Sequence, residues 1–185
     1  AITWIPVGGT DFRPSWVGPH AVAPSNPDIV YAGFGESCFR GNVIQGDGVF
    51  RTSDAAKTWT HVGLGSTEVI SKLRVHPTNP DLVYAAVLGH SYDAHPDRGV
   101  YRSRDGGKGW EKVLFRDDRS GAVDLAMDPK NPDVLFAALW QVYRTPWSME
   151  SGGPGSGLFK SADGGTTWTE ITKNSGLPTG TWGKV

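Results

Sequence analysis

Residues 161–168 read SADGGTTW: a small hydroxyl, an aspartate, two glycines, then a large aromatic. Read alone, the segment could be a catalytic loop, a metal loop or a turn. It recurs, however. SRDGGKGW occupies 103–110, and TSDAAKTW occupies 52–59, so the aspartates fall at Asp54, Asp105 and Asp163. A second motif keeps step with it: APSNPDIVYAGF at 23–34, HPTNPDLVYAAV at 76–87 and DPKNPDVLFAAL at 128–139. A third piece precedes each box, namely GVFRT (48–52), GVYRS (99–103) and GLFKS (157–161), and a short apolar stretch follows each tryptophan.

Each unit of about 50 residues therefore predicts four strands. Strand A runs into the Asn-Pro-Asp turn, strand B leaves it, strand C enters the box, and strand D follows the tryptophan. A four-stranded unit at this period is the pattern of a β-propeller blade. One such sheet cannot bury both faces alone, so blades stack. The expected fold class is all-β: a β-propeller of four-stranded antiparallel blades, about three complete blades plus terminal strands. The expected boundaries are 1–8 for the last strand of a preceding blade, 16–63, 64–115 and 120–173 for three blades, and 180–185 for the first strand of a next one. Three blades do not close a ring, so either the remainder of a longer chain or self-association would have to complete it.

The repeated residues suit turns. Proline presets φ, and Asn or Asp accepts nearby backbone N–H groups. Asp54, Asp105 and Asp163 are read as ties within the C–D hairpin, with Gly107 and Gly165 free to adopt positive φ. Trp59, Trp110 and Trp168 supply buried area. Ala55 and Ala56 replace both glycines in the first copy, so that turn is expected to be strained or differently shaped.

Composition fits this reading. The chain has 185 residues, 38% of them hydrophobic and 20% charged, with 25 glycines, 13 prolines and 8 tryptophans. A net charge of −1 gives no basic footprint for nucleic acid, and no apolar run is long enough to span a membrane. The start AITWIPVGG has no basic region followed by an apolar one, so no signal peptide is expected within these residues. Cys38 is the only cysteine, which excludes an internal disulfide and leaves the compartment open.

The pattern Ser-x-Asp-x-Gly-x-Thr-Trp resembles the Asp-box (BNR) repeat. With its Asn-Pro-Asp turns and RTPWSMESGGPGSGLFKSADGGTTW, the whole chain is similar to bacterial sortilin-type, glycosyl-hydrolase-like BNR propellers. The resemblance implies a carbohydrate or peptide ligand, no cofactor, and a place outside the cytoplasm.

Propeller geometry puts the A–B and C–D turns on one face and the B–C loops and D–A linkers on the other. The second face receives the long segments: 35–47, 89–98 and 140–156 between B and C, and 8–20, 115–121 and 173–182 between D and A. Long loops on a rigid scaffold are where binding concentrates. Glycoside hydrolysis needs a carboxylate pair, for which Glu36 and Glu150 are the candidates. Trp16 and Trp147 offer stacking surfaces for sugar rings, and Arg40 and Arg144 offer donors. The arginines do not form a recognisable sialidase arrangement. His90, Asp93, His95 and Asp97 are loosely spaced and read as a polar loop, so no metal site is expected. Three functions stay open: a glycoside hydrolase, a non-catalytic carbohydrate- or peptide-binding propeller, and an assembly scaffold.

Overall fold

A computed structural model describes residues 16–184 together with Val7 and Phe12; the expected strand at 1–8 lies outside the described residues apart from Val7. Strands β1 (Val17–Ala23), β2 (Asn26–Phe34), β3 (Val49–Thr52) and β4 (Thr60–His61) form one antiparallel sheet in sequential order. Strands β5 (Ile70–Val75), β6 (Val83–Val87), β7 (Gly99–Ser103) and β8 (Glu111–Leu114) form a second. The third contains β9 (Ser120–Met127), β10 (Leu135–Arg144), β12 (Gly157–Ser161) and β13 (Thr169–Glu170), and β11 (Met149–Ser151) pairs with the far end of β10. These are three propeller blades. Residues 180–184 take no strand pairing.

The third blade departs from expectation. The segment 140–156 is not all loop: β10 continues to Arg144, and Val142, Tyr143 and Arg144 pair with Ser151, Glu150 and Met149. The run WQVYR continues a β-rich strand without a breaker until Pro146, so the strand outgrows its blade and returns as a hairpin.

The blades bury their apolar faces against one another. Val83, Ala85 and Val87 of β6 join Ile29, Tyr31 and Leu73 in one core, while Tyr84 and Ala86 face Leu125, Leu135 and Phe159 in the next. Because β6 is covered on both faces, its sequence VYAAV is apolar at every position. Tyrosine hydroxyls bridge the seams: Tyr31 donates to the Pro80 carbonyl at 2.9 Å, and Tyr84 to the Gly164 carbonyl at 2.8 Å.

The box is a hydrogen-bonded turn of one design. In the second copy Ser103 Oγ donates to Asp105 at 2.8 Å and accepts from the Gly107 N–H at 2.8 Å, while the Gly109 N–H donates to Asp105 at 2.9 Å. The third copy repeats this with Ser161, Gly165 and Asp163, adding the Thr167 hydroxyl at 2.6 Å. Each box is also fastened to its own Asn-Pro-Asp turn. The N–H groups of Ala55, Gly106 and Gly164 donate to the carbonyls of Asp28, Asp81 and Asp133 at 3.1, 2.9 and 2.9 Å. Trp110 leans into the seam with the first blade and donates its ring N–H to the Val62 carbonyl at 2.7 Å. Trp168 packs against the second seam's core, and Trp59 against the Phe34–Phe50 cluster.

The first copy is strained but not reshaped. Thr52, Asp54, the Ala56 N–H and the Thr58 N–H repeat the same bonds. To do so, Ala55 and Ala56 take φ of 58° and 67°, beside 75° and 97° at Gly106 and Gly107. The hydrogen bonds outweigh the clash of Cβ in the left-handed region, about 1–2 kcal/mol per residue. At Gly107 alanine would meet a further obstacle, because a Cβ would lie 2.7 Å from Val62.

Replacing Ala55 and Ala56 together by glycine should raise thermal stability by roughly 1 kcal/mol, the relieved strain exceeding the added unfolded-state entropy; calorimetry of the double variant checks this, and Gly107→Ala should shift the melting temperature the other way. A second outcome follows from charge. The Thr58 N–H holds the Asp54 carboxyl well below its usual range, the Gly109 N–H does so for Asp105, and the Thr167 hydroxyl and N–H bring Asp163 down to about 2. Carboxyls depressed in the folded state stabilise it above the unfolded pKa of about 3.9. Their contribution is lost as pH falls from about 4 toward 2. Denaturant titrations across that window should show a shallower acid loss in Asp163→Asn than in the parent.

Candidate functional site

The long loops of the three blades are tied to one another by backbone bonds. The Gly46 N–H donates to the Glu68 carbonyl at 2.6 Å, His95 to Asp118 at 2.8 Å, Val142 to Arg119 at 3.2 Å and Arg144 to Ser91 at 3.3 Å. Side chains add to this. The Val43 N–H donates to the Tyr92 hydroxyl at 3.0 Å, and Phe39 packs edge-on against Trp140 at 5.5 Å between centroids. Val69, Leu88, Val123 and Ala138 form a buried cluster with Trp140 and Val142, against which Phe39 and Val43 of the first long loop pack.

Glu36 stands at the end of β2, where Gly35 at φ 99° turns the chain. Its side chain is buried, at 2% exposure, and it is engaged. Arg40 Nε donates to it at 2.7 Å and a second Arg40 nitrogen pairs with the same oxygen, while the Ile44 N–H reaches the other at 3.4 Å. The guanidinium of Arg40 lies 6.0 Å from the centroid of Trp16, which is 47% exposed. Three of the expected residues, Trp16, Glu36 and Arg40, thus meet.

Arg144 closes the other side. Its Nη1 reaches the Ser148 carbonyl at 3.4 Å, and its Nη2 lies 3.6 Å from where a Cβ on Gly41 would be. Met149 and Arg144 are cross-strand partners, as are Glu150 and Tyr143. Neighbouring pairs project to opposite faces of a ribbon, so the exposed Glu150 side chain points away from the face that carries Arg144. Trp147 sits at the hairpin tip and is 85% exposed. Of the remaining arginines, Arg116 is paired with Glu170 at 2.7 Å, and Arg13 lies outside the described residues.

The fold gathers the side chains of the 90–97 loop. His90 and His95 stack at 3.8 Å with an interplanar angle of 11°, and ligand atoms of His90, His95 and Asp97 lie within 4.8 Å of one another. Glu68, which no motif singled out, joins them: its carboxylate lies 3.4 Å from His90 Nδ1, and that of Asp93 lies 3.2 Å away. Beneath them Arg98 is fully buried. Its Nη2 donates to the carbonyls of His90 and Asp93. Burial pushes its pKa down to about 10, against the opposing pull of Asp93, Asp117, Asp118 and Glu68.

A cleft of about 590 Å³ opens on the other face, between the first two boxes, and is lined by Arg51, His61, Asp81, Lys108 and Trp110. There Arg51 is paired with Asp81 at 3.1 Å and Asp105 is engaged in its own turn.

Known proteins share this architecture. Xyloglucanase Xgh74A of Acetivibrio thermocellus is 25% identical over 178 residues, covering 89% of this chain and 18% of its own. Among solved structures, a GH74 enzyme of Niastella koreensis superposes with a TM-score of 0.61 at 20% identity, over 86% of this chain and 22% of the enzyme. The GH74 xyloglucanase of Xanthomonas campestris does so at 0.58 and 16%, over 88% and 23%. The chain thus spans about a fifth of the length of these relatives, and the superpositions speak for the fold alone. The Sortilin-Vps10 family model (sortilin, neurotensin receptor 3) matches residues 47–177, from the end of the first B–C loop to beyond the last strand of the third blade, and the chain belongs to that family.

Proposed function

We propose that this chain is a carbohydrate-binding, glycoside-hydrolase-like part of a propeller, with blades at 16–63, 64–115 and 120–173 and its ligand face built from the B–C loops and D–A linkers. The observation that carries the reading is the half-exposed Trp16 ring beside the Arg40 guanidinium, which Glu36 holds in place. An apolar ring face with a fixed donor next to it matches the two sides of a pyranose, one of C–H groups and one of hydroxyls. Trp147 offers a second platform on the hairpin. The likeness to xyloglucanases supports a glycan ligand, and a peptide remains the alternative to it.

For catalysis, Glu36 and Glu150 are the proposed carboxylates. Glu36 is engaged by Arg40, which suits a positioning residue better than a general acid, so binding is the stronger half of the reading. A scaffold role is favoured by one feature: the outward face of the third blade presents exposed Ala126 and partly covered Phe136 and Leu158, a surface suited to a further blade.

Isothermal titration with xyloglucan oligosaccharides should show binding that weakens about tenfold, near 1.4 kcal/mol, in Trp16→Ala and in Trp147→Ala. Binding that is the same in parent and both variants would remove the proposed face. If the parent hydrolyses such a substrate, unchanged turnover in Glu36→Gln and Glu150→Gln would remove both catalytic candidates. Light scattering that shows only monomers would sink ring closure by self-association.

A further inference from the structure

We propose that the cleft between the first two boxes, on the face opposite the long loops, is a binding site for a carboxylate, the acid group of a uronate-type sugar, which Arg51 receives beside Thr60. The repeat itself supplies the comparison. Arg51 and Arg102 hold the same place in GVFRT and GVYRS. Each reaches across a seam, Arg51 to Asp81 of the second blade and Arg102 to the Gly164 carbonyl of the third. Their cross-strand partners differ: Arg102 stands opposite Glu111, and Arg51 stands opposite Thr60.

That exchange separates a closed seam from an open one. The Arg102 side chain is 4% exposed. Its Nη2 donates to Glu111 at 2.9 Å, and its Nη1 donates to the Gly164 carbonyl at 2.6 Å and reaches the Thr166 hydroxyl at 3.4 Å. Arg102 in turn holds the Glu111 carboxyl below its ordinary range. The Arg51 side chain is 25% exposed. Its Nε donates to the Tyr31 hydroxyl at 3.2 Å and its Nη2 to Asp81 at 3.1 Å, and Nη1 has no acceptor among the described residues. In the box that meets Arg51, Lys108 takes the position of Thr166, so a second cation stands where the other seam has an acceptor. Arg51, Thr60, Lys108 and Trp110 all line the same cleft.

A carboxylate entering over Thr60 occupies the place that Glu111 fills in the next blade, so the chain displays the filled form of its own site. A guanidinium fork with a free edge matches a carboxylate better than any other small group. The two acids on the cleft leave that edge open: Asp105 is engaged by the Ser103 hydroxyl and the Gly109 N–H of its own box, and Asp81 engages Nη2 alone. The remaining walls select the body of the ligand. Trp110 is apolar, while Ser53 and Thr60 bring hydroxyls, and a pyranose presents both C–H groups and hydroxyls. This site lies on the opposite face from Trp16 and Arg40 and does not rest on the reading given to them.

Amide NMR titration of the full chain tests it. Methyl β-D-glucuronide should shift the Gly106, Gly107 and Lys108 amides and the Trp110 indole N–H in a saturable way. Methyl β-D-glucoside, which lacks the charge, should bind about tenfold or more weakly, the scale of one charge-assisted hydrogen bond. Succinate separates the sources of the acid group: weaker binding than the glucuronide supports the uronate, and equal binding removes the sugar and leaves a site for small acids. Thr60→Glu places a carboxylate where the second blade has Glu111 and keeps every donor. It should raise the melting temperature and cut glucuronide affinity by about tenfold or more. Lys108→Thr, at an exposed box position, should weaken binding without disturbing the fold. Trp16→Ala should leave these shifts unchanged, which keeps a failure here distinct from one at the loop face. No saturable shift with either acid overturns the site, and so does glucuronide binding that survives both Thr60→Glu and Lys108→Thr.

Discussion

The fold hangs on one carboxylate per blade. Asp54, Asp105 and Asp163 each accept backbone N–H groups from the residues that follow and a hydroxyl from the residue two before. A hairpin of this kind leaves several N–H groups facing inward with no strand to meet them. A single aspartate satisfies them at short range, and ionised acceptors form the stronger class of bond. The turn so closed is rigid enough to offer its next N–H to the Asn-Pro-Asp carbonyl across the blade. Two turns that are distant in sequence become one edge, and the four strands between them acquire a fixed register.

That edge also sets how blades meet. The tryptophan that ends the box is delivered to the seam, where Trp110 bonds the Val62 carbonyl of the neighbouring blade, and the tyrosines of β2 and β6 bond the turns of the next one. Apolar area supplies most of the stabilisation across the seam, at about 25 cal/mol per Å². The hydroxyl and indole bonds add direction, since an unpaired polar group in that position would cost about 1–3 kcal/mol. Blade follows blade at a set offset, and variation is confined to the loops on the opposite face.

The periodic part of this architecture could be read from the chain alone, because its physics is local. A box or an Asn-Pro-Asp turn satisfies itself within five residues, so its signature survives in a short string. Ala55 and Ala56 mark the limit of that logic: the string departs from pattern, yet the turn keeps its shape, because the Thr52–Asp54 bonds and the tie to Asp28 outweigh left-handed strain. The β10–β11 hairpin escaped notice because Thr145, Pro146 and Ser148 read as loop chemistry, and only the cross-strand pairing shows that the strand has continued. The engagement of Glu36 by Arg40 and the gathering of Glu68 with His90 were likewise invisible. Both depend on where loops of 10 to 20 residues fold back, and no periodicity governs that.

Those loops are held less by cores than by backbone exchange between blades, and Glu68 shows why that matters. Its carbonyl accepts the Gly46 N–H from the first blade's long loop, its side chain accepts from Gln45, and the same carboxylate faces His90 of the second blade. Gly35 lies so close that a Cβ there would fall 2.1 Å from the Glu68 carbonyl, one residue before Glu36 and its partner Arg40. The stretch that positions Trp16 and Arg40 is therefore continuous, through two backbone contacts, with the stretch that gathers the histidines. The Glu68 backbone cannot shift without disturbing Gly35 and Gly46. The loop face is mechanically one surface, although three separate blades contribute to it.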